Sequence, residues 1–183
     1  TIKALLVDRV VSMVDEGIDV AIRIGNLPDS GLHAVKVGEM RRVICAAPTY
    51  LNEHGRPQHP DELLQAQLVV ATSSPLLSNW EFSGPDGAIS IRPQPRLLVT
   101  ANQAAINAAS LGWGLTRVLS YQVASKVAAG ELEIVLQDFE QAPLPIHVVY
   151  QSARKVPAKV RTFVDFCSAQ LSQSRALNPD GRN

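Results

Sequence analysis

The chain has 183 residues, of which 46% are hydrophobic and 19% charged, a composition typical of a globular protein and not of a disordered segment. Its seventeen basic and seventeen acidic residues cancel to a formal net charge of zero, whereas a surface that neutralises several phosphates usually carries an excess of Lys and Arg, so this chain is not expected to bind DNA by itself. No apolar run of about 18 residues and no charged-then-apolar leader occur, so the sequence predicts neither a membrane span nor a signal peptide.

The first third of the chain is predicted to alternate strands with short helices. Apolar residues dominate Thr1–Val7, which predicts a strand already under way at the first residue. Asp8 can cap a short helix, Arg9–Glu16, which Gly17 ends. The β-branched run Ile18–Ile24 predicts a strand buried on both faces. The next predicted elements are strands Leu32–Val37 and Arg42–Ala47, a helical turn from Thr49 to Gly55, and a helix beginning at Pro60.

The remainder of the chain continues the alternation. Gly84–Gly87 is a hairpin turn signal between two short strands, Trp80–Phe82 and Ala88–Ile91. An Ala-rich helix is predicted at Ala101–Leu111 and an amphipathic one at Val156–Leu171. Further strands are predicted at Leu68–Ala71, Arg96–Val99, Gly114–Leu119, Leu132–Leu136 and Ile146–Tyr150, with a helix from Ser120 to Ala129. The alternation indicates an α/β chain with mostly parallel sheets.

Four segments, in order, resemble one known family. Val7–Gly25 reads VDRVVSMVDEGIDVAIRIG and continues NLPDSGL, and Val43–Pro60 reads VICAAPTYLNEHGRPQHP. Thr100–Gly114 holds a helix followed by a Gly-x-Gly turn, and Leu144–Phe166 reads LPIHVVYQSARKVPAKVRTFVDF. Together these segments resemble the effector-binding domain of LysR-type bacterial transcription regulators over nearly the whole chain.

The resemblance implies a two-lobed α/β fold like that of type 2 periplasmic binding proteins, with a ligand cleft between the lobes. Lobe one is expected to hold residues 1–43 and 150–172, lobe two residues 44–149, and residues 173–183 form a tail. The chain is expected to cross between lobes near Arg42–Ala47 and near His147–Gln151. In the family a strand and a helix precede Thr1, and that strand lies centrally in the first sheet and brings a pocket hydroxyl. This strand and helix are not in the sequence, and three explanations for that stay open. The chain is trimmed, a neighbouring copy takes the place of the strand, or the preceding residues are disordered.

Candidate effector contacts lie at the ends of predicted elements. Arg23, among apolar neighbours, either clamps a carboxylate or pairs with Asp19 or Asp29. Thr100 and Asn102, at the start of a helix, either hold an anion together with the helix amides, or Thr100 simply caps the helix. The resemblance adds further contacts at Gly25, Leu27, Cys45 and Gly114. Cys45 either lies at a hinge between the lobes or is an ordinary core residue. Trp113 and Arg117 either contact a ligand or pack against other parts of the protein.

The sequence also predicts association. If Ile2–Val7 is an exposed edge strand, its apolar side chains Ile2, Ala4 and Leu6 need cover. The Ala-rich helix offers a small-residue face of Ala105, Ala108 and Ala109 for close packing. In the resembling family the domains pair antiparallel, which implies a homodimer matched to two-fold symmetric operator DNA.

The leading hypothesis is therefore a sensor of a small organic or amino acid effector, with DNA bound only through a helix-turn-helix region outside this sequence. The alternative is a transporter's solute-binding protein, which has the same fold. No catalytic elbow, P-loop or Cys-x-x-Cys pair occurs and the histidines are scattered, so neither an enzyme nor a metal or other cofactor is expected. Cys45 and Cys167 read as free thiols, which suits a cytoplasmic location; a disulfide would need an oxidising compartment.

Overall fold

The computed structural model describes residues 1–27, 31–72, 77–151, 156–174 and 177. The strands are Val20–Ile24 (β1), Leu32–Met40 (β2), Arg42–Ala46 (β3), Leu68–Ala71 (β4), Trp80–Gly84 (β5), Gly87–Ile91 (β6), Pro95–Val99 (β7), Thr116–Leu119 (β8), Glu133–Val135 (β9) and Leu144–Gln151 (β10). The helices are Pro48–His54 (α1), Asn102–Ser110 (α2), Ser120–Ala128 (α3) and Ala158–Ser172 (α4), with short 3-10 helices at Pro60–Leu64 and Gln137–Phe139.

The chain divides into two compact units. Unit 1 is Thr1–Met40 with Pro143–Asn183, and unit 2 is Arg41–Ala142. All of β10 pairs within unit 1, so the chain has returned to that unit before β10 begins. The crossover expected near His147–Gln151 is therefore wrong, because those residues are held by hydrogen bonds to neighbouring strands on both sides.

Unit 1 is built on a three-stranded antiparallel sheet in the order β1-β10-β2. Val148 and Val149 of the middle strand are fully buried, and α4 packs against β2 and β10. In the described part of the chain, β1 has a strand on one side only. Its residues are half-buried or exposed, so the prediction of a strand buried on both faces is not confirmed.

The first seventeen residues differ from the prediction. Thr1–Val7 is not a strand and its side chains are exposed, and the expected helix Arg9–Glu16 is replaced by a turn that ends at Gly17. A strand needs a partner edge for its backbone groups, and a helix of eight residues is too short to be stable alone. Backbone hydrogen bonds close this turn, from Glu16 to Ser12 at 3.1 Å and from Ile18 to Met13 at 2.8 Å, and Met13 is buried beneath it. An exposed two-fold ion pair between Arg9 and Glu16, with both N···O distances 2.8 Å, adds little to its stability.

Unit 2 is centred on β3, which is buried on both faces. In the sheet order β8-β3-β9 both neighbours run antiparallel to β3, and α3 makes the crossover that connects them. Because side chains alternate along a strand, Val43 and Cys45 point into one core and Ile44 and Ala46 into the other. The first core is completed by residues of α2, α3 and β8, and the second by α1, β4 and the β5–β6 hairpin.

The prediction of mostly parallel sheets is not confirmed. Among the strand pairs of the described residues only β4 and β7 run parallel, supported by a parallel bridge between Leu68 and Leu115. Parallel neighbours need a long connection, usually a helix. In unit 1, β1 and β2 each pair with β10, which lies between them, and both pairs are antiparallel. The hairpin of β5 and β6 around the Gly84–Gly87 turn is confirmed.

Candidate functional site

Arg23 lies on β1, directly opposite His147 on β10. One terminal nitrogen of its guanidinium donates a hydrogen bond of 2.7 Å to the carbonyl oxygen of Val11. The Nε of Arg23 and the Nδ1 of His147 are both buried, and neither has a hydrogen-bond partner within the described ranges. Because residues opposite each other in an antiparallel pair project from the same face, two nitrogen-bearing side chains with unused hydrogen-bonding capacity stand together here.

An open groove with a volume of about 470 Å³ lies beside Arg23, entirely within unit 1. It is lined by Ser12, Met13, Val14, Arg23, Gly31, Leu32 and Gln151. Arg23 is the only charged group among these described residues, so the described part of the lining joins one cationic donor to apolar and neutral polar side chains. Such a lining suits a small molecule that carries a carboxylate on an apolar body.

The expected structural partner of Arg23 is engaged elsewhere. Asp19 lies 3.8 Å from the ammonium group of Lys159, and Asp29 lies outside the described residues. Sequence reasoning missed His147, because only the register of β1 against β10 brings it opposite Arg23.

The loop after β1 supplies Gly25 and Leu27 in the same unit. The amide of Gly25 donates to the carbonyl oxygen of Pro145 at 2.9 Å, and its φ of +112° is one that residues with a side chain rarely adopt. Leu27 is half-buried. The glycine therefore allows the chain to turn at the end of β1, close to Arg23.

Thr100 and Asn102 lie in unit 2, at the start of α2. The N-cap residue is Ala101, with no side-chain capping bond, so the expectation that Thr100 caps the helix is wrong. Thr100 is exposed and Asn102 is the first helical residue. The first amides of a helix lack intrahelical acceptors and favour a negative charge, which keeps this helix end a candidate contact for an anion.

Cys45 and Gly114 are both buried, for structural reasons. Cys45 lies in the core between β3 and the helices, and burial raises the pKa of its thiol to about 12. A Cβ on Gly114 would lie 2.1 Å from the carbonyl oxygen of Gln67, which accepts a 2.8 Å hydrogen bond from the amide of Leu115. Gly114 thus permits the close approach of two chain segments. Cys45 and Cys167 are free thiols, as expected.

The residues predicted for a dimer interface differ in exposure. Ile2, Ala4 and Leu6 are exposed. Ala105 and Ala109 are fully buried, so the prediction that they face a second copy is wrong, while Ala108 is half-buried. The small side chains of α2 pack inward because they let the helix approach β4 and β8 closely.

The described residues include no group of three or more His, Cys, Asp or Glu side chains arranged to hold a metal ion. Nor does any helix in the described part of the chain have the length and apolar character needed to cross a membrane.

Comparison with known proteins matches residues 1–172 to the family described as LysR substrate binding domain. The transcriptional activator AaeR of Escherichia coli K12 is 32% identical over 155 residues, which cover 84% of this chain and 50% of AaeR. This chain thus spans about half the length of the curated relatives that it matches.

Two solved structures show the same fold. The CrgA regulatory domain, from a LysR-type regulator of Neisseria meningitidis, has a TM-score of 0.75 at 28% identity, over 86% of this chain and 78% of that one. Full-length AphB, the virulence activator of Vibrio cholerae, has a TM-score of 0.73 at 31% identity, over 87% and 53%. These relatives are transcription regulators and not solute-binding proteins of transporters, and the type 2 periplasmic-binding-protein-like fold is confirmed. This chain belongs to the LysR substrate-binding domain family.

Proposed function

We propose that this chain is the part of a transcription regulator that senses a small carboxylate-bearing effector, with Arg23 as the group that binds the carboxylate. The observation that carries the proposal is the arrangement at Arg23, whose buried Nε is unpartnered within the described residues and whose guanidinium lines a groove. A charge-assisted hydrogen bond to a carboxylate satisfies that nitrogen. His147, Gly25 and Leu27 complete the proposed site in unit 1.

Of the other predicted effector contacts, two are kept in the proposal and two are left out. Thr100 and Asn102 are proposed as a second group of effector contacts, in unit 2, because an exposed hydroxyl stands beside a helix N-terminus there. Cys45 and Gly114 are left out of the proposed site, since both are buried and each has a structural role.

Calorimetric titration of the chain with a panel of small organic acids and amino acids tests the site. We expect Arg23→Met to weaken binding of the best ligand by about 10- to 100-fold, the range of a lost hydrogen bond to a charged group. The matched control is Arg161→Met, which removes an exposed arginine of α4 in the same unit. Equal affinity in the Arg23 and Arg161 variants would place the effector elsewhere.

We further propose that the whole protein works in the cytoplasm as a homodimer, binds DNA through a helix-turn-helix region outside this sequence, and catalyses no reaction. The relatives are named as transcription regulators, and this chain has a net charge of zero. Both observations support a protein in which this chain senses the effector and another region binds DNA. A gel-shift experiment with the full-length protein and its own promoter region tests it. A shift that changes on addition of the effector is expected, and the absence of any DNA binding would refute the proposal.

A further inference from the structure

Two arginines stand side by side on one face of the sheet in unit 2. In the pairing of β3 with β8, Ile44 lies opposite Arg117 and Arg42 lies opposite Leu119. Arg42 and Arg117 are therefore diagonal neighbours on the same face, where Cα atoms are about 7 to 8 Å apart and long side chains can meet.

Arg117 is held in place by the β5–β6 hairpin. Its guanidinium carbon lies 5.6 Å from the ring centre of Trp80 and 5.1 Å from that of Phe82, and both rings are buried. One terminal nitrogen donates a 2.7 Å hydrogen bond to the carbonyl oxygen of Glu81. Because a guanidinium carries five N–H groups in a plane, most of its donors stay available while its stacked face is fixed.

The positive charge of this pair is not matched by a paired carboxylate. Arg42 is exposed, and its side chain forms no hydrogen bond or ion pair with the described residues. The nearby carboxylate of Glu81 accepts a 2.6 Å hydrogen bond from the hydroxyl of Ser90, and Arg117 bonds to the backbone of Glu81 instead.

The pKa values of both arginines reflect this environment. Burial, followed by the charge of Arg42, lowers the pKa of Arg117 to about 10, and the negative charge of Glu81 offsets only part of this shift. Surrounding protein atoms partly desolvate Arg42 as well, which lowers its pKa, although much of its surface stays exposed. Two guanidinium groups therefore stay charged near each other at a free-energy cost, which a bound anion would relieve.

We propose that Arg42 and Arg117 form a second binding site, for a compact oxyanion with two negative charges such as phosphate or sulfate. The stacked Arg117 supplies a fixed planar donor, and the exposed Arg42 closes on the anion from the neighbouring strand. The site lies wholly in unit 2, so it is independent of the effector site proposed at Arg23 in unit 1.

The test follows the side-chain Nε–H resonance of Arg117 by NMR during titration with sodium phosphate, with sodium chloride at equal ionic strength as reference. We expect a saturable shift with phosphate and not with chloride. Arg42→Met should weaken the binding by at least about 10-fold, because a charge-assisted bond is lost. Arg42 is exposed, so this variant keeps the core packing intact.

Three further variants sharpen the result. Arg96→Met, which removes an exposed arginine of β7 in the same unit, should bind phosphate like the parent chain. Arg23→Met should also bind phosphate normally, which separates this site from the effector site. Arg117→Lys keeps a charge but loses the planar donor, and calorimetry should show weaker phosphate binding. Equal phosphate binding by the parent chain and Arg42→Met, or equal shifts with phosphate and chloride, would overturn the proposal.

Discussion

Unit 2 encloses its central strand on both faces, whereas unit 1 leaves its candidate binding strand open. Val43 and Cys45 of β3 have no exposed surface, while Ile22 of β1 is 54% exposed. Strand β3 has a neighbour on each side, and β1 has one among the described residues. The difference indicates that unit 2 supplies the stable framework, and that the strand carrying Arg23 opens at lower free energy. Sites that respond to ligands are commonly found in such less stable elements.

The largest expected difference between the units comes from truncating a leucine in each. Leu68→Ala removes a fully buried side chain of unit 2 and should lower the free energy of unfolding by about 3 to 5 kcal/mol. Leu6→Ala in unit 1 removes a side chain that is 92% exposed and should change it by less than about 0.5 kcal/mol. Urea unfolding followed by circular dichroism measures both. A large loss in the Leu6 variant would show that the N-terminal segment is packed after all.

A second comparison adds a methyl group to a glycine in each unit. Gly114→Ala places a Cβ 2.1 Å from a carbonyl oxygen at a φ of +147° and should cost at least about 3 kcal/mol. Gly17→Ala adds a Cβ with no atom within 4 Å, at a φ of +64°, and should cost about 1 to 2 kcal/mol. Unfolding followed by the fluorescence of Trp80 and Trp113, both in unit 2, should respond to the Gly114 change alone. Equal responses would contradict the close approach of Gly114 to Gln67.

How far the sequence predicts this fold depends on how local each signal is. The hairpin at Gly84–Gly87 and the strand β3 were predicted nearly to the residue, because a turn pair and a short apolar run act on their immediate neighbours. Thr1–Val7 was predicted as a strand from its apolar composition, but a strand exists only where a partner edge receives it. The burial of Ala105 and Ala109 was missed, since an alanine face fits a dimer partner and a sheet equally well.

The candidate site was predictable in part for the same reason. Arg23 stands out in the sequence as a charge inside an apolar run. Its neighbour His147 and the pair of Arg42 with Arg117 depend on strand register between residues far apart in the chain, which no local pattern encodes.

A further prediction concerns the pH dependence of unit 2 stability. The folded-state pKa of the Cys45 thiol, about 12, lies above its unfolded value near 9. The unfolded chain therefore loses this proton first as the pH rises. Between these two values the free energy of unfolding should fall by about 1.4 kcal/mol per pH unit from this group alone. Cys45→Ala should remove that share of the slope between pH 9 and about 11, measured by urea unfolding. An unchanged slope would contradict the burial of the thiol.

The most direct test of the account is amide hydrogen exchange of the chain with and without the carboxylate that titrates best. If Arg23 holds the ligand on β1, amides of Val20–Ile24 should exchange about 100-fold more slowly at a ligand concentration of one hundred times Kd. The exchange rates of the Arg42–Ala46 amides should change less on ligand addition, because β3 exchanges only when the core of unit 2 unfolds. At the same ligand concentration Arg23→Met, which weakens binding about 10- to 100-fold, should reduce the slowing at β1 to between about 2- and 11-fold. Protection that appears in β3 and not in β1, or that is undiminished in Arg23→Met, would contradict the assignment of the effector site to Arg23.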